Sequence, residues 1–158
     1  MPGQVGLEIT WIPEPAVVAK AYFMSADRAR RLSPALEACV QDVMIPEIQQ
    51  NFDSQGRPPW PPLADSTIAQ RLQQGFTGGE ILVRSGELQA AVTSMDSWVI
   101  DDSSPSEQIA ALSDPTGYGH FHIEGGNVIP QRDFTFISDE ALDQMGELVL
   151  NWVVDGEI

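Results

Sequence analysis

A single cysteine, Cys39, stands among 158 residues. That excludes an intrachain disulfide, so nothing in the chain asks for an oxidising compartment. It also excludes a zinc site built on several cysteines. Basic residues are scarce. One lysine, Lys20, and seven arginines face 23 Asp and Glu, for a net charge of −15. A surface of that sign repels phosphate, which argues against sequence-independent nucleic-acid binding and against contact with an anionic membrane. No apolar run approaches the ~18–20 residues of a membrane span. The first ten residues hold neither a basic nor an apolar segment, so no signal peptide is expected. Ser85-Gly86 lacks the Gly-x-Ser-x-Gly frame of a nucleophile elbow. Residues 75–79 precede no Lys-Ser/Thr pair, so they are not a phosphate loop. Neither internal repeats nor low-complexity stretches occur.

What is present is a globular composition. Hydrophobic residues make up 42% of the chain, with 13 glycines besides. The length points to one domain, 1–158, able to bury roughly 70% of its unfolded surface. Val5, Leu7, Ile9 and Trp11 alternate with polar or small residues, the pattern of a half-buried strand. Pro13 and Pro15 break it. Residues 17–24 read as a second extended segment, with a helix from Ala16 as the alternative. Residues 1–32 thus form a strand hairpin or an arm.

Ser33-Pro34 has the form of an N-cap followed by proline at the first helical position. Leu36, Val40, Val43, Met44, Ile48 and Phe52 follow at helical spacing. Pro46 inside that run predicts a kink or a split. Residues 53–62 form a Gly- and Pro-punctuated loop. Asp65 or Ser66 caps a short helix through Arg71 and Leu72, and Ser85 caps another holding Leu88 and Val92. The turn residues 101–106, between apolar runs 98–100 and 109–112, predict a hairpin. Phe134 and Phe136 alternate with Thr135 and Ile137 in a further strand. Ser138-Asp139-Glu140 opens a last helix whose apolar face is Leu142, Met145, Val149, Trp152 and Val153. No regular β-α-β alternation appears. The fold class is therefore α+β: a mostly antiparallel sheet packed with a long helix in the N-terminal half and a C-terminal helix.

Few residues point to chemistry. On a strand, His120, His122 and Glu124 would share one face and offer a metal two imidazoles and a carboxylate. On a helical turn the two histidines diverge and Tyr118 stacks over His122. Cys39 lies on a helical apolar stripe and reads as a small core residue. Arg28, Arg30 and Arg31 read as solvated cations with local ion pairs. Trp60 lies in a proline-rich loop, either as a plug over the core or as an interface anchor.

Four blocks then stand out. Phe52, Arg57 and the run Trp60-Pro61-Pro62-Leu63-Ala64-Asp65-Ser66-Thr67, with Arg71 after it, resemble a signature of phage virion morphogenesis proteins. These are the tail-completion proteins of Mu-like and related tailed phages, with Trp-x-Pro-Leu-(Ser)-x-x-Thr-x-x-x-Arg at this point. Ile81-Leu82-Val83-Arg84-Ser85-Gly86-Glu87-Leu88 is similar to the family's Ile-Leu, small polar residue, Gly, any residue, Leu. Residues 118–125, Tyr-Gly-His-Phe-His-Ile-Glu-Gly, resemble Tyr-Ala-x-x-His-Gln-x-Gly. Residues 129–134, Ile-Pro-Gln-Arg-Asp-Phe, resemble Ile-Pro-Ala-Arg-Pro-Phe. The departures are Gly119, Ile123, Gln131 and Asp133. Residues 1–32 carry no resemblance.

The resemblance implies a structural role, completing the neck or tail end so that head and tail join. It implies a homo-oligomeric ring in contact with other neck, connector or tail proteins, assembled in the host cytoplasm and carried in the virion. It implies neither enzyme activity nor a cofactor, metal or specific nucleic-acid contact, although genome DNA would pass through the ring. The positions carried over are Trp60, Leu63, Thr67, Arg71, Gly86, Leu88, Tyr118, His122, Gly125, Pro130, Arg132 and Phe134. Among them Trp60, Leu63, Gly86, Pro130 and Arg132 read as turns, loop anchors and a possible ion pair, and are not expected to converge on a pocket. Arg132 is expected to hold a carboxylate or carbonyl groups at the entry to the last strand. Two other readings stand beside this one. One is a small metal-dependent hydrolase using His120 and His122. The other is an acidic DNA mimic, resting on the charge of −15.

Overall fold

A computed structural model describes residues 14–158; the strand expected at residues 5–11 lies outside them. The fold is α+β, with a two-stranded antiparallel hairpin among helices. Helix α1 (Pro15–Ala29) occupies the segment expected to be extended. Val17 and Val18 favour a strand, but Ala16, Ala19, Lys20, Ala21 and Met24 are better helix formers, and Pro15 suits the first turn.

The long helical run comes next. It consists of α2 (Ser33–Ala38), a π-helical segment (Cys39–Met44) and α3 (Ile45–Asp53). The disruption expected at Pro46 takes the form of this π segment. Pro46 has no N–H to donate, and a wider turn just before it accommodates the missing rung. Ser33 is the first helical residue, not the cap, which is Leu32. Its hydroxyl bonds Asp102 instead. Helix α4 (Asp65–Gln73) likewise starts after Ala64. Helix α5 (Glu87–Val92) is capped by Gly86, at φ 80°, and not by Ser85.

The expected hairpin forms as β1 (Trp98–Ser104) and β2 (Glu107–Leu112), with Trp98 opposite Leu112 and Ile100 opposite Ala110. Its inner face packs on α2. From β2, the Gln108 amide accepts from Leu32 N–H at 2.7 Å and donates to Ala29 C=O at 3.0 Å, which fixes the corner between α1 and α2. A short helix, α6 (Gly119–Glu124), precedes the final helix, α7 (Asp139–Val154). Ser138 caps α7 as expected, accepting from Ala141 N–H. Ala35, Cys39, Val40, Val43 and Ala141 are buried where α7 meets the long run. Burial pushes the Cys39 thiol up, and the nearby Asp42 charge adds to this.

The second buried cluster joins Ile48 and Phe52 of α3 to Trp60, Ile81, Leu82, Leu88, Val92 and Phe134. Phe134 is not on a strand, contrary to expectation. Its segment finds side-chain partners in place of a neighbouring strand. The buried Asn51 amide donates to both Phe134 C=O and Phe136 C=O at 2.8 Å. The Thr135 N–H donates to Asp133 Oδ1, and the Ser138 N–H to Glu47 Oε2. No described helix is long and apolar enough to cross a membrane.

Candidate functional site

Nine of the twelve residues carried over from the resemblance fall into two structural groups. Trp60 and Phe134 belong to the core. The Trp60 ring meets Phe52 edge-on at 5.7 Å, and its Nε1–H donates to Asp133 C=O at 3.0 Å. At 7% exposure it is the loop plug, not an exposed anchor. The loop beneath it turns at Gly56, with φ 102°. A Cβ there would lie 2.5 Å from Trp60 Cδ1, so the close approach needs glycine.

The second group does converge, contrary to expectation. Leu63, Arg71, Gly86, Leu88, Tyr118, His122 and Arg132 line one cavity of about 500 Å3, with Phe76, Leu82, Arg84, Ser85 and Glu87. Each block supplies part of the wall. Arg132, 7% exposed, donates from Nε to Pro61 C=O at 3.0 Å and from Nη2 to Pro62 C=O at 3.1 Å. It therefore holds carbonyl groups, as one of the two expected options. Arg71, in the last turn of α4, donates to Glu80 C=O at 2.6 Å and draws the 80–83 turn inward. In that turn Leu82 sits at φ 61°, unusual for a branched side chain. Arg84 lies over the Phe76 ring, with Cζ 4.8 Å from the centroid, and donates to Gln74 Oε1.

Asp114 builds the third wall. Its carboxylate accepts from the N–H groups of Thr116, Gly117 and Gly119, and so starts α6. Burial alone would raise this carboxyl, but the Thr116 hydroxyl and the Gly119, His120 and Thr116 N–H groups outweigh it and hold it below its ordinary value. The turn presents Tyr118 edge-on to His122, with ring centroids 6.4 Å apart. The His122 carbonyl accepts from Arg132 N–H at 2.7 Å, and Gly125, at φ 69°, lets the chain double back against Gln131. Thr67, Gly125 and Pro130 are not among the cavity's lining residues.

The strand alignment of His120, His122 and Glu124 is not formed, because α6 is helical. His120 turns to Asp114 at 3.8 Å, and His122 turns to the cavity. Among the described residues, no group of three His, Cys, Asp or Glu gathers as a metal site would require.

The sequence does not single out Arg84, Phe76 or Asp114. For Asp114 a signal was present: Asp-Pro-Thr-Gly is a turn-forming run in which the first carboxylate accepts from the backbone. For Arg84 it was the scarcity of cations. Three of the chain's eight basic residues line this one cavity.

His122 carries a pH prediction. Burial first, then the Arg132 charge, lowers its proton affinity, against a smaller opposing pull from Asp114. Its folded pKa therefore lies below the unfolded value of about 6.5, so the unfolded chain takes up the proton first. The contribution is present above that value and is lost as pH falls through the folded pKa. Urea melts from about pH 7.5 to 5 should show stability falling. His122→Gln should flatten that slope, whereas an unchanged slope would reject His122 as its source. The depressed carboxyl of Asp114 acts lower, below about pH 4.

Comparison with protein-family models, with curated proteins and with solved structures returns no match.

Proposed function

We propose that this chain is a structural virion protein that completes the neck or tail end of a tailed phage so that head and tail join. The sequence support is the ordered series of four blocks spanning Phe52 to Phe136. The structural observation that carries the reading is α1. Every residue from 16 to 24 is exposed, and Tyr22 and Phe23 are about 70% exposed. Val17, Val18 and Met24 add to an apolar surface that runs around the helix. A helix apolar on all sides is normally buried. Among the described residues, its C-terminal end is the part that is tied down: Arg28 donates to Val153 C=O at 3.0 Å, and just past the helix Arg31 C=O accepts from Trp152 Nε1–H at 2.9 Å.

On this reading α1 is an assembly arm, and its seat is the next copy of the chain. Leu142, Leu150 and Val154 form an exposed apolar stripe on α7 that suits it. An arm of one copy seated on α7 of the next makes a head-to-tail contact, the kind that closes into a ring. At −15 per subunit, repulsion opposes a ring of the free protein, most strongly at low salt. Assembly then awaits the phage partner, a neck, connector or tail protein.

Two measurements test this. Light scattering after size exclusion, at low and high salt, should find a monomer or small oligomer; a stable ring at low salt would contradict the repulsion argument. The double substitution Tyr22→Glu and Phe23→Glu should leave stability within about 0.5 kcal/mol, as exposed changes do. It should nevertheless abolish incorporation into particles. Normal incorporation would remove α1 from the account.

A further inference from the structure

We propose that the cavity walled by Arg71, Arg84 and Arg132 is a carboxylate-binding site, taking a carboxylate on an aliphatic stem such as a glutamate side chain. The inference does not depend on the virion reading. The chain carries 23 acidic residues, yet none of these three arginines is ion-paired with a carboxylate among the described residues. Their partners are carbonyls and one side-chain amide. Arg132 spends Nε and Nη2 on the carbonyls of Pro61 and Pro62, and its Nη1 donates to none of the described residues.

The cations also work against one another. Burial first, then the Arg84 charge, lowers the proton affinity of Arg71; burial and then Arg71 do the same to Arg132. An anion entering between them relieves that repulsion and gains charge-assisted hydrogen bonds. The volume, about 500 Å3, lies within the range of ligand pockets.

The rest of the wall selects among anions. Leu63, Leu82 and Leu88 offer apolar surface for a stem, and a guanidinium fork matches a planar carboxylate. Glu87, on the same wall, penalises a doubly charged phosphate more than a single carboxylate. Duplex DNA is too wide to enter, and its phosphates meet a chain at −15.

The test titrates the isotope-labelled full chain with glutarate, with a blocked glutamate (N-acetylglutamate α-amide) and with inorganic phosphate, read by NMR. Saturable shifts are expected at the arginine side-chain N–H groups and at the Gly86 and Leu88 amides. Arg84→Gln, at an exposed position, should weaken binding about tenfold, the scale of one charge-assisted hydrogen bond. Glu87→Gln should tighten it a few-fold, a gain that a merely structural role would not produce. Saturation by the blocked glutamate assigns the carboxylate to a protein side chain; saturation by glutarate alone assigns it to a small acid. Either result supports the site. No saturable shift with either carboxylate, affinity unmoved by both substitutions, or tighter binding of phosphate would each overturn it.

Discussion

Trp60→Ala is expected to remove about 3–5 kcal/mol of stability, the range for deleting a large buried aromatic. Three losses combine. The ring leaves a void against Phe52, within a cluster that also holds Ile48, Leu88 and Phe134. The edge-on aromatic contact goes with it, worth about 0.5–1.5 kcal/mol beyond area burial. The Asp133 carbonyl loses the indole N–H that now reaches it at 3.0 Å. Domains of this size are commonly stable by only about 5–15 kcal/mol, so the variant should melt far below the parent. A loss under about 1 kcal/mol would show that the ring is not the packed plug described above.

Asn51→Ala should rank second, at about 3 kcal/mol or more, because it leaves several buried polar groups without partners at once. Asn51 is fully buried. Its Nδ2 serves the carbonyls of Phe134 and Phe136, and its Oδ1 accepts from Arg57 Nε at 2.8 Å. Arg57 in turn pairs with Glu47 at 3.1 Å, and Glu47 accepts from Ser138 N–H at 2.8 Å, at the start of α7. Burial alone would raise the Glu47 carboxyl; the Ser138 N–H and Arg57 overcome that and hold it below its ordinary value. The amide thus links α3, the 134–136 segment and the entry to α7. Chemical denaturation measures the loss, and hydrogen exchange should show residues 134–138 opening first. Protection unchanged there would contradict this linkage.

The hairpin and α7 were legible because local signals agreed: a turn-rich run between β-formers, and Ser138 ahead of two acids. The segment 134–137 was not, although its Phe-Thr-Phe-Ile alternation looks the same as a strand. What decides it is the partner of its carbonyls, and that partner, Asn51, is more than 80 residues away. Helix α1 was open between two readings, since its valines and aromatics favour a strand while its alanines favour a helix. The long run was read correctly as helical, but the π segment before Pro46 needed the backbone itself. All twelve resemblance positions were read from the sequence, yet the meeting of seven of them in one cavity was not expected. It depends on Arg132 gripping carbonyls of a loop 70 residues away, as Arg71 grips those of the nearby 80–83 turn, and no local pattern encodes that pairing.

Under the proposed function, this chain completes a particle without doing chemistry on a substrate. Electron microscopy of lysates from a phage genome carrying a clean deletion of this chain tests that most directly. The account predicts separate heads and tails, or defective tails, with DNA packaged in the heads, and rescue when the intact chain is supplied in trans. Complete, infectious particles from the deletion would contradict it.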